Sequence, residues 1–235
     1  MKNSQLIIVF LFFLFITPSC FSSSSSQWDD DEVKTFDISN FERIALEGGY
    51  KVVLKQSDQP GLRIKADEEF FDYLQVDSDG HTLSVTLRER HLNFGGVVLY
   101  IEFVDLKELA IQGGVKLETK GYVDLSDFYL RVEGGAKIEM EMKVDHLKVI
   151  GEGGVSFDFR GVANTMDTRI SGAGHIDAGE LKTQAVTIEI EGVGGGSVYA
   201  TDRLNAKIEG VGKIRYKGDP EVKKIVEGLG VVSPE

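Results

Sequence analysis

A chain of 235 residues, 42% of them hydrophobic, is long enough for one or two domains with a real core, and 27 glycines against 4 prolines suit many tight bends in β structure better than disorder. The formal charge of −12 argues against a nucleic-acid backbone as partner, because such binding rests on Lys and Arg neutralising phosphates. Cys20 is the only cysteine, which excludes a disulfide framework.

The N-terminus indicates export. Lys2 precedes an apolar run over residues 6–16, the length of a secretory signal core and shorter than the ~20 residues a membrane-spanning helix needs. Residues 1–19 therefore read as a signal peptide. Cys20, placed after Ser19, resembles the lipid-modified cysteine of bacterial lipoproteins, which implies a lipid anchor in the outer membrane, on its periplasmic face or at the cell surface. An ordinary signal peptide, cut near Ser19 or among the serines that follow, is the second reading and leaves a soluble periplasmic or secreted protein, and an uncleaved anchor is the third. Residues 20–35 read as a flexible acidic tether. Its Asp29-Asp30-Asp31-Glu32 cluster is similar to export signals of some Gram-negative surface lipoproteins, and reads equally as a solvated charge run.

The folded part is expected as one domain over residues 36–235, with an irregular N-terminal β portion over 36–105 and regular repeats over 106–232. Alternation of apolar and polar residues begins at Phe36 and Phe41, and period two means strands with one buried face. Ser57-Asp58-Gln59-Pro60-Gly61 reads as a turn and Leu62 to Ala66 as a strand. Asp67 to Leu74 carries a helical turn for which Asp67 is the expected N-cap. Asp77-Ser78-Asp79-Gly80-His81 joins two strands as a hairpin, and a further strand runs from Val97 to Val104.

From Leu109 onward a short phrase recurs: Gln112-Gly113-Gly114-Val115-Lys116, Glu133-Gly134-Gly135-Ala136-Lys137, Glu152-Gly153-Gly154-Val155-Ser156. Further copies begin at Gly172, Gly192, Gly210 and Gly228. The first glycines are spaced 21, 19, 19, 20, 18 and 18 residues apart, a period typical of stacked arrays. Glu47-Gly48-Gly49-Tyr50-Lys51 matches the phrase and carries it toward the N-terminus. The expected fold is all-β, a parallel β-helix (β-solenoid) of about 18–21 residues per coil, since a strand with one apolar face buries it only against its neighbours. The glycines, Gly48, Gly49, Gly113, Gly114, Gly134, Gly135, Gly153, Gly154, Gly172, Gly192, Gly210 and Gly228, are read as structural corners. The six intervals from Gly113 to Gly228 predict a column roughly 30 Å high.

The repeated phrase, together with Phe41-Glu42-Arg43-Ile44 and Gly218-Asp219-Pro220, resembles the putative auto-transporter adhesin, head GIN domain family, over about residues 36–232. The resemblance implies a parallel β-helix, export and a role in adhesion, and brings no catalytic residues.

Stacking the phrase aligns Glu133, Glu152, Glu191 and Glu209 in one row and Lys116, Lys137 and Lys213 in another. These rows are either a charged stripe for a glycan or an envelope or host protein, or a solvated edge on which opposite charges offset one another. The turns lack the third glycine and the aspartate of calcium-binding β-helix repeats, so no metal site is expected, and no cofactor. A polysaccharide lyase or hydrolase is the enzymatic alternative, for which Arg169, His175 and Asp177 form the most suggestive local set. His81, His91 and His146 show no metal-ligand spacing, and no nucleophile elbow is present. A purely structural envelope protein is the third reading. Tyr50, Tyr100, Tyr122, Tyr129, Tyr199 and Tyr216 are candidate contacts if they face outward and packing residues otherwise.

Overall fold

A computed structural model of the protein describes residues 31–88 and 96–235. Cys20, the signal peptide expected over residues 1–19, the first part of the expected tether and His91 lie outside the described residues. The described chain is all-β apart from one short 3-10 helix. Its strands are β1 (Asp31–Phe36), β2 (Arg43–Gln56), β3 (Gly61–Asp67), β4 (Leu74–Ser78), β5 (Thr82–Leu87), β6 (Val98–Phe103), β7 (Glu108–Thr119), β8 (Val123–Lys217) and β9 (Glu221–Pro234). They form one sheet in the order β1-β3-β6-β2-β7-β8-β9, with β4 attached through β5.

The repeating part is parallel and in strict register. Glu47, Gly48 and Gly49 of β2 face Gln112, Gly113 and Gly114 of β7. Those residues face Glu133, Gly134 and Gly135 of β8, and Gly210 of β8 faces Gly228 of β9. The N-terminal phrase is thus a layer of the same array. β8 spans 95 residues, which at about 3.3 Å per residue would extend some 310 Å if straight. Instead it folds back repeatedly, so that Gly153 lies on Gly134, Gly172 on Gly153, Gly192 on Gly172 and Gly210 on Gly192.

Period-two alternation places one row of side chains inside. Leu130, Val132, Ile138, Met140 and Met142 are buried, as are Val186, Ile188 and Ile190, and they join a single core that also takes Phe103, Phe128, Phe157 and Phe159. Each fully buried side chain of this size contributes about 1.5–3 kcal/mol, whereas an exposed ion pair contributes ~0–1 kcal/mol. The interior therefore dominates the stability of the array.

Before the repeats the pairing changes. β6 joins the second half of β2 in parallel and β3 in antiparallel fashion. β5 joins the first half of β2 in parallel, and β4 and β5 form the expected hairpin. In the turn between them Asp79 accepts hydrogen bonds from the amides of His81 and Thr82 at 2.8 and 2.7 Å. Two details differ from the sequence reading. Asp31–Phe36 is a strand, not tether, because it pairs antiparallel with Gly61–Asp67, and Phe36 packs against the core. The helical turn is a 3-10 helix over Glu68–Asp72, and Asp67 makes no side-chain capping bond to it.

Candidate functional site

The first glycine of each phrase, from Gly48 to Gly228, has φ between +107° and +137°, a region L side chains avoid. Space is equally restrictive: a Cβ on Gly153 would fall 2.4 Å from the carbonyl oxygen of Gly134 in the layer beneath. The second glycines differ. Gly114, Gly135 and Gly154 have no atom within 4 Å of an added Cβ and lack positive φ, so the corner geometry rests on the first residue of the pair.

The charged rows beside these corners are largely paired within the protein. Arg131 Nη2 lies 2.6 Å from Glu133 and 3.6 Å from Glu152. Arg169 pairs with Glu191, and Lys207 pairs with both Glu209 and Glu189. Lys137 lies 2.5 Å from Glu139, whose carboxylate holds the ammonium above its ordinary range. Lys116 and Lys213 remain exposed. The glutamate row is thus largely neutralised within the protein, whereas of the lysine row only Lys137 is paired.

A second row escaped the sequence reading. Gly121, Gly161 and Gly218 also have positive φ, each eight residues after a first-row glycine. A Cβ on Gly161 would meet the carbonyl oxygen of Met142 at 2.0 Å, and one on Gly218 that of Ala200 at 2.0 Å. Met142, Glu180 and Ala200 hold the same offset from Gly134, Gly172 and Gly192. The constant spacing was the available signal, masked because glycine occupies only some layers.

Exposed apolar residues mark the first row's C-terminal half. Val193, Val211 and Leu229 each follow a corner glycine and are 62%, 49% and 77% exposed, and Val211 lies beside Leu229 in the register.

The set proposed for catalysis does not converge. Arg169 is engaged by Glu191 and Glu189. Asp177 accepts a hydrogen bond from buried Ser197 Oγ at 2.5 Å and one from the Gly179 amide at 3.2 Å, which hold its carboxyl below the usual range. His175 is exposed. His146 Nδ1 lies 2.9 Å from Thr165 Oγ1.

The tyrosines divide. Tyr50 is buried and its hydroxyl donates to Glu47 O at 2.6 Å, and burial pushes its pKa up. Tyr216 packs against the core. Arg63 lies over Tyr100 and Lys148 over Tyr129 at 5.5 and 5.4 Å from the ring centres. Tyr199 lies near Gly218, and Tyr122 is 49% exposed.

Two shallow grooves cross neighbouring layers. One, of about 310 Å³, is lined mainly by carboxylates, Glu118, Glu139, Glu141 and Asp158, with Arg160. The other, of about 210 Å³, is lined by Lys143, Asp145, Val162, Asn164, Lys182 and Gln184 among others.

Comparison with known proteins places this geometry. Solved structures share the fold along nearly their whole length. A putative adhesin from Bacteroides fragilis superposes with a TM-score of 0.84 at 21% identity, covering 88% of this chain and 98% of that one. A putative lipid binding protein from Parabacteroides distasonis gives 0.65 at 24% identity, covering 88% and 97%. A putative adhesin from Parabacteroides merdae gives 0.62 at 23% identity, also covering 88% and 97%. No curated protein matches the sequence. The family model described as "Putative auto-transporter adhesin, head GIN domain" matches residues 40–220, most of the folded array, and the chain belongs to that family.

Proposed function

We propose that the protein is an exported, lipid-anchored binding module of the cell envelope, adhesive rather than catalytic, whose layers close into a parallel β-helix of about 18–21 residues per coil. The observation that carries the scaffold is the stack of glycine on glycine in parallel register through β2, β7, β8 and β9. A chain that repeats its corners while varying its flanks presents side chains from successive layers on one rigid surface. Binding is favoured over turnover because Arg169 and Asp177 are each satisfied by other residues. The family description and the names of the Bacteroides fragilis and Parabacteroides merdae structures support adhesion. Ligands of the fitting kind are a glycan or an envelope or host protein, and Cys20 would carry the membrane anchor.

Metabolic labelling with palmitate tests the anchor. Label on the wild-type protein that disappears in Cys20→Ala is the expected result, and an unlabelled wild type would replace the anchor with simple secretion. Attachment of cells with and without the protein to glycan and protein surfaces tests adhesion. Equal attachment across all surfaces would overturn it.

A further inference from the structure

We infer that the groove of about 210 Å³ bounded by Lys143, Val162, Asn164, Lys182 and Gln184 is a saccharide site that takes one ring of an acidic, uronate-bearing polysaccharide. The inference deepens the binding-module reading by giving it a site and a ligand class. It uses neither the anchor nor the charged corner rows.

The polar wall of the groove is a ladder of planar groups. Asn164 Nδ2 donates to Asp145 Oδ1 at 2.9 Å, and Gln184 Nε2 approaches Asn164 Oδ1 at 3.5 Å. The first contact orients the Asn164 amide, the second is a long one, and all three side chains are exposed, with Gln184 Oε1, Asp145 Oδ2 and a second N–H on each amide left without a partner. An amide offers donor and acceptor side by side, and vicinal sugar hydroxyls present the complementary pair.

The groove also has an apolar part. Val162 is 42% exposed, and Tyr122 packs near Gly161, the residue before it, with Cε2 3.2 Å from where a Cβ on that glycine would lie. Gly161 itself is fixed by its φ of +116° and the Met142 carbonyl oxygen, while Tyr122, which does not line the groove, is 49% exposed and leaves part of its ring open near it. Such a face, amphipathic and stiff, suits the C–H side of a pyranose.

Charge selects the sugar class. Lys143 is held by Asp124 at 2.9 Å and Asp145 Oδ1 is taken by Asn164, whereas Lys182 makes no ion pair among the described residues. This gives the groove one local positive charge on a chain whose overall charge of −12 disfavours long polyanions. An unpaired ammonium beside an amide ladder favours a carboxylate-bearing ring. The larger groove fails the same test, because four carboxylates line it and Arg160 is already bound to Asp158. Size limits the occupant as well. Drug-sized ligands fill about 300–1,000 Å³, so this groove takes a single ring, with the rest of the polymer running across neighbouring layers.

Calorimetric titration of the full chain with tetragalacturonate and with neutral cellotetraose tests the assignment. Tetragalacturonate is expected to bind saturably and at least tenfold more tightly than cellotetraose. Lys182→Gln is expected to abolish that preference, and Tyr122→Ala to weaken binding of tetragalacturonate about tenfold, the equivalent of 1.4 kcal/mol. Both side chains are exposed, so the variants should keep the wild-type unfolding midpoint, and Lys116→Gln, on the distant first row, should bind as wild type. Absence of saturable binding, equal affinity for the two sugars, or affinity unaffected by both groove substitutions would overturn the site. Cell attachment is a separate readout: its loss with sugar binding intact counts against adhesion alone.

Discussion

Asp177 illustrates how an apparent catalytic side chain becomes a structural one. Its carboxylate ties two layers together through Ser197 and the Gly179 amide, and those donors depress its pKa. A carboxyl with a depressed folded-state pKa adds stability above its unfolded value, near 3.9, and loses that contribution as pH falls through the lower folded value. Asp177→Asn should therefore unfold more readily than wild type at pH 7, and the gap should narrow as pH drops below about 4. Parallel denaturation curves over that range would show it, and a gap independent of pH would assign the bond no ionic component. Sequence proximity grouped Arg169, His175 and Asp177, but it could not reveal that Arg169 reaches Glu191 and Asp177 reaches Ser197, each about one repeat away. Partners at such distances become neighbours only when layers stack.

At the scale of the element, two glycines that look equivalent in sequence have opposite requirements. Gly153→Val combines positive φ, itself worth about 1–3 kcal/mol, with a backbone clash at 2.4 Å, and should cost at least ~3 kcal/mol. Gly154→Ala has open space and should change stability by less than about 1 kcal/mol. Urea unfolding midpoints of the two variants separate the roles; similar losses would mean that both residues of the pair make the corner. The repeat period and the inward rows were legible because glycine and alternating apolar residues recur in nearly every copy. The second positive-φ row was not, since Met142, Glu180 and Ala200 interrupt it. β1 was also missed, because a short acidic segment has no strand signal of its own and is ordered by its pairing with β3.

Over the whole molecule, stability follows the layers. β2, β7 and the middle of β8 have neighbours on both sides, while β9 pairs on one side with β8 and leaves Ile225, Val226, Leu229 and Val231 exposed. In a stacked array each layer's stability is an intrinsic part plus its nearest-neighbour interfaces. Amide hydrogen exchange should thus be faster in the one-sided strands β1, β4 and β9 than around Leu130 to Met142, and uniform protection would argue for one indivisible cooperative unit. The all-β class and parallel layering could be anticipated from periodicity, whereas the mixed pairing of β3, β5 and β6 depends on contacts that no repeat announces. The fixed offset between the two positive-φ rows has a further consequence. In the three layers where glycine marks both rows, eight residues separate them, while the return path from second row to first is 13, 11 and 10 residues long. In those layers that path absorbs insertions and deletions, so the array can lengthen or shorten its outer rim without disturbing the register of the layers above and below.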